Sequence, residues 1–212
     1  MELVNIFYQK YTQNSWKSKE SVSGTGSELE ITKVIREGLK TLLSKYNIKS
    51  MLDAPCGDFN WMKEFDLSNI EYIGADIIPP LIEENKNKYN LDFRVLDVTS
   101  DILPEVDLIL VRDCLVHLSN KNIFNFLTNL KNSKIKYLLV TSFTDKDLGH
   151  EWRKSVINSG IPDGGWRPIN LEDVPFNMGI PLDTLNENCT EDYPNYTDKS
   201  LLLYDVEKLT WG

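Results

Sequence analysis

Three stretches of this chain each run into an aspartate, Asp53, Asp76 and Asp97, 23 and then 21 residues apart. Each interval fits one strand–helix–strand step and leaves little to spare. Residues 48–53 read as a short buried strand, 72–76 as a second, 92–96 as a third and 106–111 as a fourth. Helical periodicity falls between them. One helix starts where Ser27 and Glu30 form a capping box, and carries Ile31, Val34, Ile35, Leu39, Leu42, Leu43 and Tyr46 at helical spacing. Pro79-Pro80 opens another that runs to Tyr89, and Ser119 caps a third whose inner face is Ile123, Phe126, Leu127 and Leu130. Residues 135–142 supply a fifth strand and 200–206 a closing edge strand. Continuous apolar strands separated by helices predict an open, mostly parallel α/β sheet with helices on both faces.

The pattern breaks after Thr144. Residues 145–199 carry five prolines and Gly160, Gly164 and Gly165, with little periodicity. A stretch this long more often forms a lid or binding wall than an idle loop. The expected organisation is one domain over 1–212. It has a polar, aromatic-spotted lead-in (1–27), a ligand-binding core (28–144), an irregular insertion (145–199) and a closing strand (200–212).

A chain of 212 residues can bury a real core without disulfides or metals. Its net charge of −9 argues against nucleic acid as a partner, since phosphate would be repelled. No apolar segment is long enough to span a bilayer, and the first residues lack the pattern of an export signal. A cytoplasmic location is expected. Cys56, Cys114 and Cys189 are far apart and there are two histidines, so neither a disulfide framework nor a metal site is expected. The two glycosylation-type sequons, at Asn188 and Asn195, carry no meaning without export. The oligomeric state is left open.

In a sheet of this kind ligands bind beyond the carboxyl ends of the strands, where the strand order reverses. An acid ending the second strand is the usual device for holding two ribose hydroxyls, so Asp76 suggests an adenosine-containing ligand. Its alternative is to cap the turn before Pro79. The turn after the first strand, Asp53-Ala54-Pro55-Cys56-Gly57-Asp58-Phe59-Asn60-Trp61, has one glycine and two flanking carboxylates. A dinucleotide needs a G-x-G-x-x-G turn that lets backbone amides approach a pyrophosphate. Two carboxylates would repel that group and attract an ammonium or sulfonium. A nicotinamide-dependent oxidoreductase is therefore disfavoured. Asp53 is either a ligand contact or a carboxylate bonded to its own loop. Asp97 either meets the adenine or makes a turn, and Trp61 is either cofactor wall or core.

Across residues 28–144 the sequence resembles the class I S-adenosylmethionine-dependent methyltransferases. The resemblance rests on Leu52 to Asp58, on Gly74-Ala75-Asp76, on Leu96-Asp97-Val98 and on Asp107 to Asp113, in order and at the right intervals. It implies a Rossmann-like fold, S-adenosylmethionine as cofactor and S-adenosylhomocysteine as product. By the same match Gly57, with Ala54, lies against the methionine part. Asp76 and Ile77 meet the ribose, and Asp97 bonds the adenine amino group with Val98 beside it. Asp53, Asp58, Trp61 and Arg112 complete the expected cofactor set. The departure from the family pattern is Phe59, where a second glycine is commoner. Asp53 to Met62 and Arg112 to Leu118 are also similar to small bacterial methyltransferases, some tied to capsule or glycan assembly. That narrower similarity adds capsule sugars and a phosphoramidate decoration as candidate acceptors.

Methyl transfer is an in-line displacement in which positioning does much of the work. A hydroxyl acceptor must also lose a proton, which a base assists. Asp113 and His117 follow the fourth strand four residues apart, so a helical turn would let Asp113 orient the imidazole of His117 as base. The alternative is that both residues only cap and pack. In the insertion, Trp166 suits a sugar or base face, while Arg167 and, near it, Asn170 suit an anionic acceptor such as a phosphate. The expected reaction is methylation of a small-molecule hydroxyl. N-methylation of an amine or protein lysine is the alternative, and it would favour a cage of aromatics and carboxylates. A protein that binds the cofactor without catalysis is a third reading.

Overall fold

The computed structural model describes residues 2–145 and 148–211; Met1, Lys146, Asp147 and Gly212, which fall in the lead-in, the insertion and the closing segment, lie outside that description. Five strands come in the expected order: β1 (Ser50–Asp53), β2 (Glu71–Asp76), β3 (Asp92–Val95), β4 (Leu108–Val111) and β5 (Tyr137–Phe143). They pair parallel, and β6 (Asp183–Asn186) and β7 (Lys199–Asp205) extend the sheet antiparallel. The strand order is β3-β2-β1-β4-β5-β7-β6. The order reverses between β1 and β4, so their carboxyl ends, Asp53 and Val111, border the crevice that a doubly wound sheet leaves for a ligand.

Period-2 alternation assigns each strand residue to one of two apolar layers. Met51, Tyr72, Leu108, Leu110 and Leu139 pack with Ile35, Leu39, Leu42 and Leu43 of α2 (Lys33–Lys45) and Ile82 of α3 (Pro79–Lys88). Leu52, Ile73, Ile109, Val111 and Leu138 pack with Ile123, Phe126, Leu127 and Leu130 of α4 (Asn120–Lys131). The Ser119 hydroxyl caps α4, accepting the Asn122 N–H at 3.4 Å.

Three expectations change. The helix expected from Ser27 begins at Lys33, and Ser27 with Glu30 makes no capping box. Long-range bonds win there: the Leu29 N–H donates to Glu20, the Ser27 carbonyl accepts from Asn60, and Ser18 donates to Glu28. The lead-in also contains a helix, α1 (Leu3–Thr12), whose Leu3 and Phe7, one turn apart, pack on the core. The closing strand is not an edge. β7 lies between β5 and β6, and β6 takes the edge. A short helix, α5 (Glu151–Val156), stands in the insertion.

Phe126 is fully buried at the centre of the α4 layer. Phe126→Ala is expected to lower the unfolding free energy by about 3–5 kcal/mol in a denaturant titration, as large-to-small core substitutions do.

Candidate functional site

Two chambers lie end to end over the carboxyl edge of the sheet. The first runs from the β1 turn across the ends of β2 and β3 and is roofed by Leu3, Phe7 and Tyr11 of α1. The second opens toward the insertion. Trp16, Ser23, Asp113 and His117 line both, so they form the passage between them.

The β1 turn shapes the first chamber through two left-handed residues. Gly57 has φ +54°, and a β-carbon there would collide with the Ser23 hydroxyl. Phe59 replaces the commoner second glycine yet also takes φ +60°. That conformation costs a side-chain-bearing residue about 1–2 kcal/mol. Compensation comes from its ring, buried against Tyr72, Tyr89 and Phe93 at centroid distances of 5.4, 4.8 and 5.3 Å.

Of the residues read from sequence as cofactor-binding, Asp53, Ala54, Gly57, Trp61, Asp76, Ile77, Asp97, Val98 and Arg112 line this chamber. The Asp53 carboxylate accepts from the Tyr72 hydroxyl at 2.8 Å. Asp76 accepts the N–H groups of Ile78 and Gly57 at 3.0 and 3.2 Å. Burial raises both, Asp53 to about 7 and Asp76 to about 6, and among the described residues neither forms an ion pair. The turn reading of Asp97 also holds, since one oxygen takes the Thr99 N–H and hydroxyl at 2.8 and 2.7 Å. Cys114 lines the chamber too, but burial pushes its thiol up to about 12, which leaves it unreactive.

Asp58 is a correction. Its carboxylate turns away from the chamber and accepts from the Ser21 hydroxyl, the Val22 N–H and the Ser23 hydroxyl at 2.8, 3.0 and 3.3 Å. It anchors the lead-in and presents no charge to a ligand.

Asp113 and His117 sit in the passage but not as a pair. Asp113 has φ +52°, so no helical turn carries both, and its carboxylate accepts from the Lys199 ammonium at 2.8 Å. Burial opposes its ionisation, but Lys199 and then Arg112 overcome that and hold it down to about 2. The orienting group for His117 is instead the Gly165 carbonyl, 2.7 Å from Nδ1. A carbonyl only accepts, so Nδ1 carries the proton and Nε2 keeps its lone pair. Burial lowers the imidazole below its ordinary value.

Two further expectations fail. Arg167 is buried and reaches neither chamber; its guanidinium donates to the Leu115 carbonyl and Asn120 Oδ1, both at 2.8 Å. Asn170 is buried in a turn, with Oδ1 accepting the Glu172 N–H at 3.0 Å. The anion-holding residues expected in the insertion thus hold the turn that carries His117 and the loop behind it. Trp166 does line the second chamber, 44% exposed.

Sequence reading missed the charge cluster beneath the passage. Glu187 takes a two-pronged bond from Arg112, at 3.2 Å from Nε and 2.8 Å from Nη2. Lys199 approaches Asp113, Glu187 and Glu191 at 2.8, 3.5 and 3.6 Å. Separations of 75 and 86 residues left no local signal for these pairs. Trp16 was legible only as one aromatic among several in the lead-in. No metal-holding cluster occurs among the described residues, and none of their helices is long and apolar enough to cross a membrane.

No protein-family model matches the chain, and no curated protein matches it in sequence. Solved structures do. The chain is similar to the PH0226 protein from Pyrococcus horikoshii OT3 at 18% identity and a TM-score of 0.57, over 94% of this chain and 97% of that one. A Burkholderia thailandensis 1,6-didemethyltoxoflavin-N1-methyltransferase, with bound 1,6-didemethyltoxoflavin and S-adenosylhomocysteine, matches at 13% identity and a TM-score of 0.57, over 96% and 86%. The N-methyltransferase NodS from Bradyrhizobium japonicum WM9, in complex with S-adenosylhomocysteine, matches at 16% and 0.52, over 65% and 74%. At these identities the likeness establishes a fold, and it is the class I methyltransferase fold.

Asp53 titrates near 7 when folded and at about 3.9 when unfolded. The folded state therefore holds its proton longer, and this contribution is complete below pH 4 and lost as pH rises through 7. Asp53→Asn keeps an acceptor for Tyr72 and removes the titration. In urea titrations the variant is expected to gain on wild type by on the order of 2 kcal/mol between pH 5 and pH 8.

Proposed function

We propose that this protein is an S-adenosylmethionine-dependent methyltransferase whose small-molecule acceptor occupies the second chamber. The observation that carries the reading is the pair of buried carboxylates, Asp53 and Asp76, raised by burial and, among the described residues, in no ion pair at the switch point of the sheet. A ligand with a ribose and a cationic amino-acid tail supplies what they lack, and a pyrophosphate would not. Asp76 would take the ribose hydroxyls, while Asp97, Val98 and Leu96 would border the adenine. Asp53, Gly57 and Trp61 would face the amino-acid tail, and the hydroxyls of Ser23 and Ser27 with Arg112 would face its carboxylate. When bound, the cofactor supplies a methyl group already activated by a sulfonium.

The chain's own part is to exclude water, align the acceptor and take a proton. The α1 roof covers the first chamber, so the passage at Asp113 and His117 is the route by which an acceptor atom meets the methyl. With Nδ1 committed to Gly165, Nε2 of His117 is the base, and its lowered proton affinity keeps it neutral near pH 7. Asp113 stays ionised and paired, and balances Lys199 without sharing the proton. The acceptor therefore carries a heteroatom with a proton to give up, a hydroxyl or an amine.

Calorimetry is expected to give micromolar binding of S-adenosylmethionine and S-adenosylhomocysteine and none of NAD. Asp76→Ala should weaken both by at least about a hundredfold, given two ribose bonds to a charged acceptor. A folded wild type that binds neither adenosyl ligand sinks the proposal.

With an acceptor from a turnover screen, His117→Ala is expected to lower kcat by about 10²–10⁴-fold. S-adenosylhomocysteine affinity should stay unchanged. An unaltered kcat would remove His117 from the chemistry.

A further inference from the structure

Three rings meet edge to face at one corner of the second chamber. Tyr196 stands 5.2 Å from Trp166 and 5.7 Å from Phe143, centroid to centroid, and Phe143 stands 6.3 Å from Trp166. Trp16 lines the same chamber where it adjoins His117, at a centroid distance of 6.0 Å. Arg153 already stands over Phe143 and Tyr196, at 5.2 and 5.7 Å. The π-faces left for a ligand are therefore those of Trp166 and Trp16. An indole kept 44% exposed beside a polar cavity is a contact surface in waiting.

The charges facing this cavity are unequal. Asp113, Glu191 and Asp192 line it, and the cation among its described lining residues is Lys199. Lys199 is buried to 4% exposure and already engaged by three carboxylates. Behind it Arg112 pairs with Glu187 and, at 3.3 Å, with Asp113. Counted with Glu187 and Arg112, four anions against two cations leave two negative charges in excess. The nearby guanidiniums offer no relief. Arg153 is bound to Asp198, and Arg167 points into the turn at Leu115. An anionic acceptor would meet repulsion, and a neutral polyol would desolvate carboxylates without balancing them. An ammonium would gain from the carboxylates and from the indole faces together.

Resting on the methyltransferase reading, we infer that the acceptor is an ammonium-bearing molecule with an apolar or flat body, and that it is methylated on nitrogen. The ammonium enters between Trp166 and the Glu191–Asp192 side and comes to the passage. There it gives one proton to Nε2 of His117, which frees the nitrogen lone pair. That nitrogen then forms its bond to the methyl carbon as the carbon's bond to sulfur breaks, and the sulfur keeps the electron pair. The product is a methylated ammonium, a neutral thioether and an imidazolium that returns its proton to water. Charge is conserved, and no oxidant or metal is needed.

The test uses three probes with one body, 2-phenylethylammonium, 2-phenylethanol and 3-phenylpropionate. Each is titrated by calorimetry or ligand-observed NMR into the protein, alone and saturated with S-adenosylhomocysteine. The expected order is the ammonium at least about tenfold tighter than the alcohol, with the carboxylate weakest. Glu191→Gln and Asp192→Asn should each weaken the ammonium several-fold and leave the alcohol unmoved, with melting temperatures confirming the fold. An alcohol or carboxylate that binds as well as the ammonium overturns the inference, and so does an ammonium without saturable binding. Failure of S-adenosylhomocysteine to bind would instead strike the methyltransferase reading. The probe order on the free protein still reports on the chamber alone.

Discussion

Arg112 and Glu187 form the contact on which both chambers depend. The arginine follows directly on β4 and the glutamate directly on β6, so their two-pronged bond joins the parallel half of the sheet to its antiparallel extension. Lys199, the first residue of β7, completes the cluster and reaches Asp113 across the passage. Burying three charges, Arg112, Glu187 and Lys199, is expensive unless each finds a partner with good geometry. Here each does, and the cost of leaving any one alone holds the insertion in place. Phe143 pairs with Lys199 in the β5–β7 register, so the same contact fixes where the aromatic corner falls.

A second tie runs to the lead-in. Asp58 gathers Ser21, Val22 and Ser23 onto the β1 turn, and the absence of a β-carbon at Gly57 lets Ser23 approach that closely. From there the chain turns back through Trp16 to α1, where the Tyr11 hydroxyl donates to Glu84 of α3 at 2.9 Å. Gly164 of the insertion lies against Ile6 and Lys10 on the same helix. The roof of the first chamber and the mouth of the second are therefore one continuous segment of chain. A segment so placed links how the two chambers open, because Trp16 and Ser23 form one side of the passage that both share.

What could be read from sequence was what local order encodes. The five parallel strands, α3 and α4 follow from apolar runs, Pro79-Pro80 and the Ser119 cap, all within a few residues of the elements they specify. Asp76 and Gly57 were legible because a strand end and a tight turn demand particular residue types. The errors share one cause. Ser27 and Glu30 have the right spacing for a capping box, but Glu20 and Asn60 claim that turn from outside. Asp58 looked like a ligand carboxylate, and its loop is bonded to residues 35 to 37 positions earlier. Arg167 looked like an anion clamp, yet its partners lie in the turn at Leu115 and in α4. β6, the interior place of β7 and the pairs made by Glu187 and Lys199 are set by contacts between distant segments, which periodicity does not carry.

Aspartates at the ends of three parallel strands make the sharpest comparison in this fold. Asp113, just beyond β4, is held down by Lys199 and Arg112 against its burial. Asp53 and Asp76, ending β1 and β2, are more deeply enclosed and sit raised, with tyrosine and backbone donors in place of a lysine. The protein thus completes one acid internally and leaves two unfinished. Evolution rarely tolerates buried carboxylates without compensation unless a ligand supplies it. On the methyltransferase reading that ligand brings the missing positive charge, and Asp113 must already be neutralised so that it does not compete for it. The same economy explains why His117 takes its orientation from the Gly165 carbonyl. A carboxylate partner would raise the imidazole and fill the base with a proton, whereas a neutral acceptor fixes the tautomer and leaves Nε2 free.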